Sequence, residues 1–156
     1  MGINWSDWKK FNKNELAILP EKEGVYEFRC VDNNGFPKII SRLLDKDPEG
    51  IIYIGKSENL WSRINAFWKT IIKRDRSRHA AAWTYCSYGY ESLFPPNSLQ
   101  FRFLEFENPE DLEFDLLLQY FRKYRDLPPL NTSRGNYPEN WINKLEKTFG
   151  RKPLKE

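Results

Sequence analysis

Four residues have the types and positions to handle a charged substrate: Tyr26, Tyr53, Arg63 and Glu113. The two tyrosines lie in β-forming runs, GVYEFRCV and IIYIG, where a hydroxyl can place a water or a phosphate. Lys56 follows Tyr53 closely and adds a cation at a strand end. Arg63 falls on the flank of an amphipathic helix, about 110° from the centre of its apolar stripe. There it is either an ordinary solvated arginine or a residue turned toward a site. Glu113 sits one turn before Leu117, inside the stripe formed by Leu116, Leu117, Tyr120, Phe121 and Tyr124. A carboxylate on an apolar face costs several kcal/mol unless it is paired or ligates a metal. Three readings stay open for it: a buried ion pair, a stripe that reaches water in its first turn, or a functional carboxylate.

A further feature is the basic stretch Lys69, Lys73, Arg74, Arg76 and Arg78, interrupted by Asp75 alone and followed by Trp83, Tyr85, Tyr88 and Tyr90. Cations beside aromatics suit phosphates and bases. The same stretch is equally consistent with a solvated loop over a local core. His79, the single histidine, follows it directly.

The elements that must position these residues follow from periodicity. Trp5, Trp8, Phe11, Leu16 and Leu19 suggest one or two short amphipathic helices before Pro20. Gly24 to Val31 reads as a strand with Tyr26, Phe28 and Cys30 on one face and Val25, Glu27 and Arg29 on the other. Asn33, Asn34 and Gly35 make a turn, and residues 37–44 suggest a return strand. Ile51 to Gly55 reads as a strand buried on both faces. Ser57 then caps a helix carrying Leu60, Trp61, Ile64, Phe67, Trp68, Ile71 and Ile72. Residues 73–90 look irregular, and Leu99 to Phe106 alternates as a strand. Asn108 and Pro109 start a helix that runs to about Arg125, with Glu110 and Asp111 at its positive end. A last helix is expected from about Pro138 to Phe149. The fold class is α/β of the α+β type: a small, mainly antiparallel sheet of three or four strands flanked by helices. A single domain over 1–156 is expected, with a core over about 19–131, an N-terminal helical extension and a C-terminal helix.

Composition excludes several chemistries. With two cysteines and one histidine, a structural zinc site of four Cys/His ligands cannot be built. Cys30 and Cys86 are expected to be reduced and packed in a core. Glycine-rich phosphate loops are absent, so no nucleotide cofactor is expected. No run has the length of a membrane span and the N-terminus lacks an apolar signal core, so a cytoplasmic protein is expected. Lys and Arg number 25 against 22 Asp and Glu, which makes the basic stretch a local patch and not a polycation.

Taken together, Gly24-Val25-Tyr26, Tyr53-Ile54-Gly55 and the segment IYIGKSENLWSRI resemble the GIY-YIG nuclease superfamily. Arg63 stands ten residues after Tyr53, and Glu113 precedes an apolar pair and the segment PPLN ending at Asn131, in the order that the superfamily shows. The resemblance covers residues 19–131. It departs in the twenty positions that separate Val31 from Ile51 at the start of the second strand, and in the eighteen from Glu113 to Asn131. It implies metal-dependent hydrolysis of a nucleic-acid phosphodiester, with DNA as the substrate and RNA left open. Glu113 would hold one Mg²⁺ or Mn²⁺, and Arg63 would bind the non-bridging oxygens. Tyr26 and Tyr53 would position water and phosphate. One of them would act as base if Lys56 or the metal lowers a pKa that is ordinarily ~10. His79 is carried as an additional acid/base, and Asn131 joins Lys69, Lys73, Arg74, Arg76 and Arg78 as nucleic-acid contacts. The alternative is a non-catalytic nucleic-acid-binding module of the same fold. A protein-interaction domain would leave the basic stretch unexplained.

Overall fold

The computed structural model describes residues 3–75 and 78–131. The expected C-terminal helix and Arg76 lie outside the described residues. Strand β1 (Lys9–Lys10), helix α1 (Lys13–Ala17), β2 (Gly24–Cys30), β3 (Ile40–Ser41) and β4 (Lys46–Asp47) come first. They are followed by β5 (Ile51–Ser57), α2 (Leu60–Lys73), α3 (Ala80–Ser87), β6 (Leu99–Glu105) and α4 (Pro109–Tyr124). The main sheet has four antiparallel strands in the order β1-β6-β2-β5. This is the α+β architecture expected from the sequence. β2 lies inside the sheet between β6 and β5, buried along almost its whole length, with Glu27 of its second face paired to Arg102, and β5 closes one edge of the sheet.

Alternation along the strands divides the core in two. Tyr26, Phe28, Ile52, Tyr53 and Phe101 pack with Leu60, Ile64 and Phe67 of α2 and with Ala82 and Tyr85 of α3. Ile51 and Ile54 pack on the other side with Phe114, Leu117, Tyr120 and Tyr124 of α4. The register between β2 and β5 slips after Phe28, which pairs with Tyr53 while Arg29 pairs with Ile51. Ile52 is the extra residue of this bulge. The bulge lets Ile52 and Tyr53 face the same cluster although they are neighbours in sequence.

Four expectations are corrected. Residues 3–8 are not helical. The helical spacing of Trp5 and Trp8 reflects a different device: Arg102 lies over Trp5 at 4.6 Å and Trp8 at 4.5 Å, and Arg29 over Trp8 at 4.3 Å. The two indoles thus cover the charged part of the sheet face that α4 leaves open, where Glu27 pairs with Arg102 at 2.7 Å. Residues 37–44 do not return into the main sheet. Val31 makes a single bridge to Pro37, and β3 and β4 form their own two-stranded ribbon. That ribbon is anchored by Asp47, which is fully buried and accepts hydrogen bonds from Glu49 N–H, Ile51 N–H and the Tyr120 hydroxyl at 2.8–3.0 Å. Helix α2 is capped by Asn59, whose Oδ1 accepts from Ser62 N–H at 2.9 Å, because β5 continues to Ser57 opposite Gly24. Residues 80–87, expected to be irregular, form α3.

Candidate active site

β5 carries Tyr53 and Lys56, and it is an edge strand, so α2 and α4 can both reach its end. Tyr26 on β2 lies opposite Gly55, and its ring stands 5.8 Å from that of Tyr53. Glycine is required at 55: a Cβ there would lie 2.6 Å from Tyr53 Cε1 and 2.8 Å from Tyr26 Cζ. Both tyrosines are buried, at 0% and 3% exposure. Arg63 follows from the first turn of α2 and is half-buried, with its charge near enough to both hydroxyls to oppose the rise of their pKa values. It makes no ion pair among the described residues. The flank position read from the sequence is therefore turned toward the tyrosines and not simply solvated.

His79 is the N-cap of α3 and is only 2% exposed. Its Nε2 lies 2.8 Å from the Tyr26 hydroxyl, and its Nδ1 accepts from Ala82 N–H at 3.4 Å. Phe67 packs edge-on against it with ring centroids 4.9 Å apart, and Tyr53 does so at 5.7 Å. The sequence placed His79 in a loop; what buries it is the short helix α3, whose pattern carries little amphipathic signal because Ala81, Ala82, Tyr85 and Cys86 are buried together.

Glu113, in the second turn of α4, is 9% exposed. It lies at the open edge of β5, near the backbone and the charge of Lys56. Outward-facing backbone groups of that edge are met in succession. Leu130 N–H donates to Ile52 C=O at 2.9 Å. Asn131 then accepts from Ile54 N–H at 2.9 Å and donates to Ile54 C=O at 2.7 Å. Asn131, expected as a nucleic-acid contact, is instead 2% exposed with its amide committed to β5 on both sides. It is a clamp that seals the strand carrying Tyr53, replacing the ladder an edge strand lacks.

Electrostatics follow from burial. Loss of water pushes Glu113 up from its ordinary 4.5 to about 7, with Glu110 adding to the rise and the charges of Lys56 and Arg63 opposing it. Burial pushes Tyr53 up to about 12, and the Glu113 charge adds to that. Tyr26 stands well above the ordinary phenol range for the same first reason, with Tyr53 adding to it. His79 is held well below its ordinary value by burial and then by Arg63. Lys56 does not act on the tyrosines as expected. It pairs with Glu110 at 2.7 Å and biases Glu113. Both tyrosines are thus neutral hydroxyls near pH 7, able to donate.

Of the basic stretch, Lys69 and Lys73 stand exposed on one face of α2 without an ion pair among the described residues. Arg74 pairs with Glu91 at 2.8 Å and Arg78 with its near neighbour Asp75 at 3.0 Å, so one tertiary and one local contact neutralise part of the patch. Among the described residues no group of three or more His, Cys, Asp or Glu side chains could hold a metal ion. No helix among them is long and apolar enough to cross a membrane.

No family model and no curated protein matches the chain. Among solved structures it is similar to the GIY-YIG N-terminal endonuclease domain of UvrC from Thermotoga maritima bound to its catalytic divalent cation, magnesium. The two share 22% identity at a TM-score of 0.39, over 76% of this chain and 93% of that one. A point mutant of the same domain, also bound to its catalytic divalent cation, gives 21% identity and a TM-score of 0.36 over 75% and 90%.

Proposed function

We propose that the chain is a metal-dependent endonuclease that hydrolyses nucleic-acid phosphodiesters, with DNA as its substrate. The observation that carries this reading is the meeting of Tyr26, Tyr53, Arg63, His79 and Glu113, from two strands and three helices, around the end of β5. A phosphodiester is anionic, and attack on it needs positive charge and oriented donors. Arg63 supplies a planar fork for the non-bridging oxygens. The Tyr26 and Tyr53 hydroxyls supply donors at fixed positions. Lys56, at the mouth of the site, offsets the charge of Glu113.

One carboxylate suits a hard cation that keeps most of its water and takes its remaining ligands from substrate phosphate, as Mg²⁺ and Mn²⁺ do. Glu113 would hold that ion, which supplies positive charge beside the scissile phosphate. The carboxyl, about half ionised near pH 7 when alone, would gain its full charge on binding the cation. A cleft beside Lys56 is lined by Glu23, Glu58, Glu110 and Asp111 and repels a phosphate backbone. Nucleic acid therefore approaches over α2, where Lys69 and Lys73 stand. The test is incubation of plasmid, branched DNA and RNA with the protein, with and without Mg²⁺. Scission that needs the ion and is lost in Arg63→Ala supports the proposal; intact nucleic acid under all conditions refutes it.

A further inference from the structure

We propose that His79 is a positioning residue: its Nε2–H is a fixed donor to the Tyr26 hydroxyl, turning the tyrosine's own proton into the site, and the imidazole neither gives nor takes a proton. This deepens the nuclease reading and rests on it for its consequence, though not for its geometry.

The argument is a count of hydrogens. A neutral imidazole has one N–H and one acceptor nitrogen. Nδ1 faces a backbone donor, Ala82 N–H at 3.4 Å, so Nδ1 must be the acceptor. The ring hydrogen is then on Nε2, 2.8 Å from Tyr26 Oη, and the tyrosine oxygen accepts it. The Tyr26 hydrogen cannot point back at His79. It is directed away, into the pocket shared with Tyr53 and Arg63.

Protonating the ring would require a hydrogen on Nδ1. That would break the cap of α3 and place a cation at the positive end of a helix. Every group packed around the ring opposes it. Tyr26 of β2 and Tyr53 of β5 carry no charge near pH 7, Phe67 of α2 is apolar, and Arg63 of α2 is a second cation. An additional acid/base at His79, as the sequence suggested, is therefore replaced by a directional role. Tyr26 is buried among aromatic rings, and the hydrogen bond that fixes the sense of its hydroxyl is the one to His79 at 2.8 Å.

Two substitutions separate the two hydrogen bonds of one side chain. His79→Asn keeps an acceptor for Ala82 N–H, since asparagine is a strong N-cap, but loses the donor to Tyr26. His79→Gln places an amide near the position of Nε2 and weakens the cap. The expected result is that His79→Asn stays folded with the α3 cap intact and loses only the stability that the emptied ring volume carried. Its kcat should fall on the order of tenfold, the worth of one oriented hydrogen bond, with KM unchanged. His79→Gln should melt lower yet retain more of kcat per folded molecule. Wild-type kcat in the asparagine variant would overturn the proposal.

The second measurement is independent of cleavage. The chain has one histidine, so its imidazole ¹⁵N resonances are unambiguous. From pH 5 to 8 they should report one neutral tautomer with hydrogen on Nε2. Hydrogen on Nδ1, or titration within that range, overturns the assignment even if the protein cuts nucleic acid. If no nucleic acid is cut but the tautomer is as stated, the nuclease reading fails and the orientation of Tyr26 stands.

Discussion

Glu113→Gln separates a site carboxylate from a core ion pair, and its magnitude can be worked from burial. In the folded protein the carboxyl is pushed from its ordinary 4.5 to about 7. Each pH step of displacement is about 1.4 kcal/mol, so the ionised form costs the fold about 3 kcal/mol above pH 7. The sign follows from proton counting. Between pH 4.5 and 7 the folded chain holds more proton at this position than the unfolded chain, so wild-type stability falls as pH rises through that window. Glutamine keeps the shape and removes the ionisation. Without metal, the variant should match wild type below pH 4.5 and exceed it by up to about 3 kcal/mol at pH 8. For a chain of this length that is a rise of about 6–12 °C in melting temperature. Saturating Mg²⁺ at about 100 times its dissociation constant should return about 2.7 kcal/mol to wild type and nothing to the variant. Thermal melts at pH 4.5 and pH 8, with and without Mg²⁺, read all of this. A variant that melts lower than wild type at pH 8 by about 3–5 kcal/mol would mean that Lys56 or Arg63 had lost a partner it depends on. Glu113 would then be half of an ion pair, and the reasoning would be wrong.

Arg63→Ala should leave melting nearly unchanged and remove most cleavage, and Arg63→Lys should recover only part of it, because lysine lacks the planar fork; cleavage kinetics on plasmid decide this. Gly55→Ala forces a methyl within 3 Å of both tyrosine rings and should cost about 1–3 kcal/mol while also lowering cleavage, measured by denaturant melts beside the plasmid assay. Asn131→Ala strips two partners from the Ile54 backbone and should destabilise by about 2–4 kcal/mol, yet leave nucleic-acid affinity per folded molecule unchanged in a filter-binding titration. Nucleic-acid affinity should fall with salt with a slope of about −2 to −3 if about three phosphates are contacted, and reversing Lys69 and Lys73 to Glu should flatten it. An unchanged slope would remove α2 from the interface.

The amino-acid sequence determined what local chemistry and period determine. Runs of β-formers marked β2, β5 and β6, and an unbroken apolar stripe marked α2, since each element buries one continuous face whatever its neighbours are. The same stripes exposed Arg63 and Glu113 as residues out of place. Two details were misread because their partners lie far along the chain. Trp5 and Trp8 have helical spacing, but Arg29 and Arg102 draw them flat onto the sheet. Ser57 is a good cap by type, but its backbone is already taken by Gly24, and the cap passes to Asn59. Other roles have no local signature at all. Asp47 looks like a turn residue until Tyr120 closes over it. Asn131 looks like a surface amide until the open edge of β5 needs a partner. The raised carboxyl of Glu113, the neutral tyrosines and the tautomer of His79 were all decided by the tertiary structure, because proton equilibria answer to which groups lose water together, and that is set by packing across segments as distant as residues 26, 53, 79 and 113.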